Sequence, residues 1–384
     1  MARLGRLNKR VIVFAEYGWL NGGENSLLAV LPGLSAKGWQ LAFACPSQTE
    51  LSRHLESADI EQIEWNVRNP DAPRKSQDEI RTEMASLLEQ HQPAIVHCNS
   101  LSTGRLAGPV TDSMQIPSLG YLRDIIKLSR QAISDLNCLD TIVAVSHATK
   151  NFHVDHGLQP EKVQVVYNGI DLEKFAPRDS SGYLHDELGI DRSCRLVLCI
   201  GQIGLRKATD VVIQSFVAAC EQVPDLHLLL VGMRNSQKQE SVEFEKRCHQ
   251  LGNDSPFASQ IHWLGRRSDV DRMFNEASLL LHAARQEPLG RVLLEALASG
   301  CPLVATAVGG TAEIVGDCHP EQTICEVDST EQLSDAAVRI LTDEQLRSNI
   351  GEQFRENAET RFRDVRCADE IHCIYESLLS QKES

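Results

Sequence analysis

The stretch Glu287-Pro288-Leu289-Gly290-Arg291-Val292-Leu293-Leu294-Glu295 runs on through Ala296-Leu297-Ala298-Ser299-Gly300-Cys301-Pro302-Leu303-Val304-Ala305-Thr306. It reads in order as a helix, a glycine stop, a proline and a buried strand. Pro288 suits the first helical position, where its missing N–H would be unsatisfied anyway, so the helix is predicted to begin there. Gly290 lets a ligand approach the backbone closely. The amides of Leu289, Gly290, Arg291 and Val292 would then face an anion, favoured by the positive end of the helix dipole. From Glu287 to Glu295 such a helix spans roughly 12 Å, the scale from a sugar hydroxyl across a diphosphate to a ribose. Carboxylates make strong hydrogen bonds to hydroxyls, so Glu287 would grip a hexose and Glu295 a ribose diol. Two surface glutamates on an amphipathic helix have the same spacing, and spacing alone leaves both readings open.

Outward from this stretch, short apolar runs alternate with helical patterns. Runs at 11–15, 41–45, 94–98, 141–145 and 163–167 precede Asn168-Gly169-Ile170-Asp171 and a turn-rich segment, 175–182, that reads as a linker. The alternation resumes at 196–200, 226–231, 261–264, 279–282 and 303–305, and beyond Glu331 the pattern is helical to about Leu379. Strand–helix repetition predicts an α/β fold of two Rossmann-like domains, each a parallel sheet covered on both faces. A chain of 384 residues also exceeds the usual single-core limit. Ligands of such sheets lie beyond the strands' carboxyl ends, and two sheets facing each other would form a cleft.

Hydrophobic residues make up 42% and charged residues 24%, the balance of a soluble globular protein. A formal charge of −15 argues against general nucleic-acid binding. Twelve cysteines are scattered without a C-x-x-C pair, several of them (Cys45, Cys98, Cys199) inside apolar runs, as buried reduced thiols would be. With no signal-like or membrane-spanning run, the expected location is a reducing cytoplasm. Arg3, Arg6, Lys9 and Arg10 sit among Leu4 and Leu7; a solvated tail is the plainer reading, and contact with anionic lipid at the inner membrane face is the other.

Together with Val308-Gly309-Gly310-Thr311-Ala312-Glu313, the opening stretch resembles the signature of glycosyltransferase family 4, the retaining nucleotide-sugar transferases (glycosyl transferases group 1) of the GT-B fold. Leu289 replaces the usual aromatic. The resemblance implies an N-terminal acceptor domain over 1–172, a C-terminal donor domain over 173–365, and a terminal helix within 366–384 packing back on the first domain. It implies a retaining hexosyltransferase acting from a nucleoside-diphosphate sugar on a glycan or lipid-linked acceptor. Neither metal nor cofactor is expected, because a helix dipole and side-chain cations take the metal's role in this family.

Further positions follow from the resemblance. After the first run, Gly22 and Gly23 match the family's Gly-Gly loop, expected to precede a helix from Leu27 and to meet the donor diphosphate. Arg206 and Lys207 match its two cations, with Ala208 where a glycine is usual. Arg266 falls at the turn against the nucleobase, and Gly232-Met233-Arg234 replaces the common Gly-x-Gly. Arg206, Lys207 and Glu287 are thus the expected catalytic groups. Gly22, Gly23, Arg266, Leu289, Gly290, Arg291, Val292 and Glu295 are expected to join them in holding the donor. On the acceptor side the family's histidine is absent from Gly120-Tyr121-Leu122-Arg123-Asp124-Ile125, where Arg123 and Asp124 either bind acceptor or form an internal ion pair. His97 reads as structural. His153-Val154-Asp155-His156 reads as cation placement at a helix end, not a metal site. No Ser-His-Asp spacing or Walker loop occurs. A phosphorylase or epimerase of the same fold, and a non-catalytic nucleotide-sugar binding protein, are the rival functions.

Overall fold

The computed structural model describes residues 9–68 and 74–381. They form two compact units: one runs to Gly169 and resumes at Asp364, and the other is Ile170–Arg363.

The first unit holds strands β1 (Arg10–Phe14), β2 (Gln40–Cys45), β3 (Glu61–Glu64), β4 (Ile95–Cys98), β5 (Ser118–Leu122), β6 (Thr141–Ala144) and β7 (Val163–Val165). They pair in the order β3-β2-β1-β4-β5-β6-β7, all parallel. Val11 to Phe14 are all fully buried, as a strand covered by helices on both faces requires. The helix Asp364–Ser380 belongs to this unit and buries Cys367, Ile371, Ile374, Tyr375 and Leu378. Its Ala368 lies against Gly33 of the helix Gly22–Ala36, so closely that a Cβ at Gly33 would come within 2.6 Å. The Tyr375 hydroxyl meets His97 Nδ1 at 2.6 Å, and Trp39 Nε1 donates to His372 at 3.0 Å.

The second unit holds β8 (Arg195–Ile200), β9 (Leu226–Val231), β10 (Ile261–Gly265), β11 (Leu279–His282), β12 (Leu303–Thr306) and β13 (Ile324–Cys325). Their order is β10-β9-β8-β11-β12-β13, again all parallel. In each sheet the strand order reverses once, between β1 and β4 and between β8 and β11. Loops leaving the carboxyl ends of those pairs diverge and open a crevice.

Three strands had no apolar run to announce them. β3 is an edge strand, Glu61-Gln62-Ile63-Glu64, charged at both ends as edges often are. β13 has only two residues, and β5 is broken by Gly120. The reading of a solvated basic tail is corrected at its described end. Lys9 Nζ pairs with Glu376 at 2.7 Å and Arg10 with Glu61 at 2.6 Å, while Arg3, Leu4, Arg6 and Leu7 lie outside the described residues. No helix of the described residues is long and apolar enough to cross a membrane. All twelve cysteines are free, and burial pushes thiols such as Cys45 up to about 12, so these remain unreactive.

Candidate functional site

β11 closes on His282, and the chain leaves the sheet edge through residues 283–290 before the helix Arg291–Ala298. The predicted start at Pro288 is therefore corrected by three residues. Gly290 adopts φ +99°, a left-handed backbone that interrupts any helix, and a Cβ there would lie 2.8 Å from Leu293 Cδ1. Its carbonyl takes the first helical amides, Leu293 at 3.0 Å and Leu294 at 3.3 Å. Glu287, Pro288 and Leu289 thus belong to the preceding loop, so the carboxylates are not two marks along one helix. Leu289 is buried in the core.

Glu287 is only 5% exposed. Its Oε2 forms an ion pair with Lys207 Nζ and accepts from His282 Nε2 at 3.0 Å, while Arg206 Nη1 stands 4.0 Å from Oε1. Burial alone would raise its pKa. The Lys207 ammonium and the His282 hydrogen bond outweigh that and hold the carboxyl well below the usual range. Burial and the neighbouring Lys207 keep His282 below its ordinary pKa, so it donates as a neutral imidazole.

The cations come from the turn after β8. Leu205–Lys207 form a single 3-10 turn, and Ala208 follows in the left-handed region at φ 49°, a conformation that only glycine adopts without strain. This turn and the 283–290 loop are stitched together. Arg285 N donates to Arg206 O at 2.8 Å, Arg285 Nη1 to Leu205 O at 3.0 Å, and Arg206 Nη1 to Gln286 O at 3.2 Å. The Arg285 guanidinium also reaches Asp210 at 3.3 Å and Asp328 at 2.7 Å. The structure therefore brings Glu287, Arg206 and Lys207 together at the β8/β11 crevice. His282 and Arg285 were missed. A polar residue closing the apolar run Leu279-Leu280-Leu281 was the available signal for His282.

Glu295 lies in the helix, where Arg291 Nε reaches its Oε1 at 2.9 Å. Burial raises its pKa against the pull of Arg291. Val292 is buried beside it. Arg266 is exposed just past Gly265, whereas Arg267 is locked to Glu187 at 2.5 Å and Asp269 at 2.8 Å. Gly232, at φ +136°, is irreplaceable on steric grounds because a Cβ would collide with the Gly201 carbonyl.

In the first unit Gly22 and Gly23 are not a loop. They open the helix Gly22–Ala36, and the Gly22 carbonyl accepts from Ser26 Oγ at 2.6 Å. A Cβ at Gly23 would sit 3.0 Å from Arg123 Cδ. Arg123 donates to Asn99 O at 3.0 Å, Asn99 Oδ1 at 2.9 Å and Asn168 Oδ1 at 2.9 Å, and stacks 4.2 Å over Tyr121. Asp124 has a different place, with an exposed side chain and a carbonyl that accepts from His153 Nε2 at 2.8 Å. The reading of His153 as a helix-end cation is corrected, because it is buried and burial lowers its pKa. Among the described residues no three His, Cys, Asp or Glu side chains gather as metal ligands. His97 is buried against Tyr121 and Tyr375, and burial lowers it to about 3. Glu16, just past β1, is buried and accepts from Arg74 Nη2 at 3.0 Å and Ser102 Oγ at 2.9 Å. Nothing in the sequence pattern marked it.

Two family models match the chain: "Glycosyltransferase Family 4" over residues 20–174 and "Glycosyl transferases group 1" over 183–357. N-acetyl-alpha-D-glucosaminyl L-malate synthase of Bacillus anthracis is 33% identical over 245 residues, 62% of this chain and 60% of that protein. Lipopolysaccharide glucosyltransferase WaaG of Escherichia coli is 31% identical over 200 residues, 51% of each chain. The chain spans about half to three-fifths of the length of these curated relatives. Among solved structures, Anabaena HepE in complex with UDP-glucose superposes with a TM-score of 0.83 at 20% identity, covering 96% of this chain and 99% of that one. WaaG gives 0.71 at 20%, covering 94% and 99%. The two parallel-sheet units have the GT-B fold.

Proposed function

The chain belongs to the group 1 glycosyl transferases of glycosyltransferase family 4, and on that premise we propose that it is a retaining hexosyltransferase using a nucleoside-diphosphate sugar. The reading rests on one observation, the buried Glu287 carboxylate set among Lys207, His282 and Arg206. A diphosphate leaving group develops negative charge, and preorganised cations in a water-poor site stabilise it most. Arg206 offers a planar fork and Lys207 a point charge with donors to spare beyond Glu287. Glu287, ionised and immobile, accepts from the hexose hydroxyls and fixes the sugar's orientation. Glu295, in the helix that follows the loop, takes the ribose diol.

The acceptor hydroxyl attacks the anomeric carbon on the face the diphosphate is leaving. As the new C–O bond forms and the old one breaks, the acceptor's proton passes to a diphosphate oxygen, so no protein nucleophile and no metal ion is required. The acceptor is a glycan or a lipid-linked saccharide, handled in the cytoplasm. That HepE binds UDP-glucose and that the relatives are named as glycosyltransferases supports a nucleotide-sugar donor.

The test is turnover of UDP-, GDP- and ADP-hexoses by the purified chain, with the anomeric configuration of the product read by NMR. A product with the donor's configuration is expected, as is a large loss of turnover in Glu287→Gln with the fold intact. An inverted product removes the retaining mechanism, and undiminished turnover in Glu287→Gln removes the role given to that carboxylate.

A further inference from the structure

The second unit carries a groove that donor chemistry does not use. The helices Thr209–Cys220 and Gln239–Asn253 follow β8 and β9 and pack on each other. Both are crossovers between neighbouring parallel strands, so they run side by side in the same direction. Between them lies a cavity of about 520 Å³, the size of a small-molecule site. Ile213, Val217 and Leu251 line it as an apolar wall, and Arg247, Asp254 and Ser255 add polar groups. Arg247, Leu251 and Ser255 succeed one another by a turn each, so Arg247 stands at one end, roughly 12 Å from Ser255 at the other.

Arg247 is poorly satisfied by its own chain. Its side chain is 57% exposed, and Nη2 stands 3.7 Å from Asp210 Oδ2, too far for a hydrogen bond and weak as an exposed ion pair. That same oxygen already takes Arg285 Nη2 at 3.3 Å, while Oδ1 takes Arg285 Nη1 at 3.3 Å. Two guanidinium groups thus compete for one carboxylate oxygen. An anion entering the groove gives Arg247 a better partner, and the apolar wall receives whatever the anion carries. A docked helix would instead have to run past Arg247 or Asp254 and desolvate a charge without pairing it.

We propose that this groove is an effector site for a small anionic amphiphile, its carboxylate or phosphate on Arg247 and its apolar body along Ile213, Val217 and Leu251. Occupancy is felt at the cation turn. With Arg247 drawn to the ligand, Asp210 is left to Arg285, whose amide donates to Arg206 O and whose guanidinium donates to Leu205 O. Arg285 then holds the Leu205–Lys207 turn more firmly, and the groove and the diphosphate site are coupled in both directions. The coupling to nucleotide rests on the transferase reading; the occupancy of the groove does not.

The test has two arms. In the first, the full chain is titrated calorimetrically with octanoate and octyl phosphate below their micelle-forming concentrations, with octanol, octyltrimethylammonium and phosphatidylglycerol vesicles in parallel. Both anions are expected to bind, and about tenfold more weakly in Arg247→Met and in Gln214→Glu, which sets a carboxylate on the groove wall. Both positions are exposed, so the fold survives either change. Equal binding of octanol or of the cation, undiminished binding in Arg247→Met, capture by vesicles alone, or no binding overturns the inference. In the second, hydrogen exchange of the Arg285 amide should slow about fivefold with octanoate bound, and UDP should bind about fivefold more tightly. An unaltered exchange rate or UDP affinity overturns the effector role even where octanoate binds. If UDP does not bind at all, the transferase reading fails by itself, while titration and exchange still judge the groove.

Discussion

The Glu287 carboxylate and the Lys207 ammonium form an ion pair with side chains 6% and 16% exposed, and His282 donates to the same carboxylate oxygen. Removing one member strands the other. Lys207→Met should destabilise the chain by about 3–5 kcal/mol, whereas Glu287→Gln combined with Lys207→Met should cost much less than the sum of the single changes. Urea denaturation of the four proteins measures this coupling. Additive losses would show that the pair is not coupled.

Gly290 can be tested by one methyl group. With φ at +99° and Leu293 Cδ1 2.8 Å from the position of a Cβ, Gly290→Ala should cost about 1–3 kcal/mol from backbone strain. Because the strain is released by shifting the 287–290 loop, turnover should fall together with thermal stability. A fully active, equally stable Gly290→Ala would contradict this account of the helix start.

Ala208 offers the opposite experiment. It sits at φ 49° directly after the two cations, and Ala208→Gly should relieve a left-handed strain of about 1 kcal/mol. A higher melting temperature is expected, less whatever the added freedom of the unfolded glycine subtracts. A lower melting temperature would mean that the buried methyl group matters more than the backbone.

Arg285 makes no contact with the Glu287 carboxylate, yet it ties the Leu205–Lys207 turn to the loop that carries it. Arg285→Met should weaken binding of UDP by about tenfold, seen by calorimetry, through misplacement of Arg206 and Lys207. Arg285→Lys, with a single ammonium for one carbonyl and two carboxylate partners, should recover only part. Unaltered UDP affinity in Arg285→Met would make the contacts incidental.

The His97 imidazole sets an acid limit for the first unit. Burial lowers it from its ordinary 6.5 to about 3, so the unfolded chain binds this proton first. Its contribution to stability is whole above pH 6.5 and is lost as pH falls from there towards 3, at up to about 1.4 kcal/mol per pH unit. Stability measured from pH 7 to 4 should fall less steeply in His97→Gln than in the parent, and equal slopes would exclude the imidazole as the cause.

The two parallel sheets and the family were legible because fully buried strands such as Val11–Phe14 and Leu279–Leu281 leave dense apolar runs, and because Glu287 to Glu295 is a specific pattern. What the sequence hid has physical causes. Gly290 takes a left-handed turn that neither composition nor spacing encodes, so the helix expected from Pro288 begins at Arg291. Gly22 and Gly23 suggest a loop by residue type, yet the hydrogen bond from Ser26 draws them into the helix. The groups that meet within each unit, Arg285 with the Leu205–Lys207 turn in the second and Glu16 with Ser102 in the first, are brought together only by that unit's own reversal in strand order. That reversal cannot be read from any local window.

The helix Asp364–Ser380 completes the first unit although all of the second is encoded before it. During synthesis, then, every residue of the second unit is joined to the chain while Trp39 and His97 still wait for His372 and Tyr375. A premature stop codon that removed only this helix would spare every group around Glu287, yet the nascent first unit would expose an apolar flank for chaperones and proteases to find.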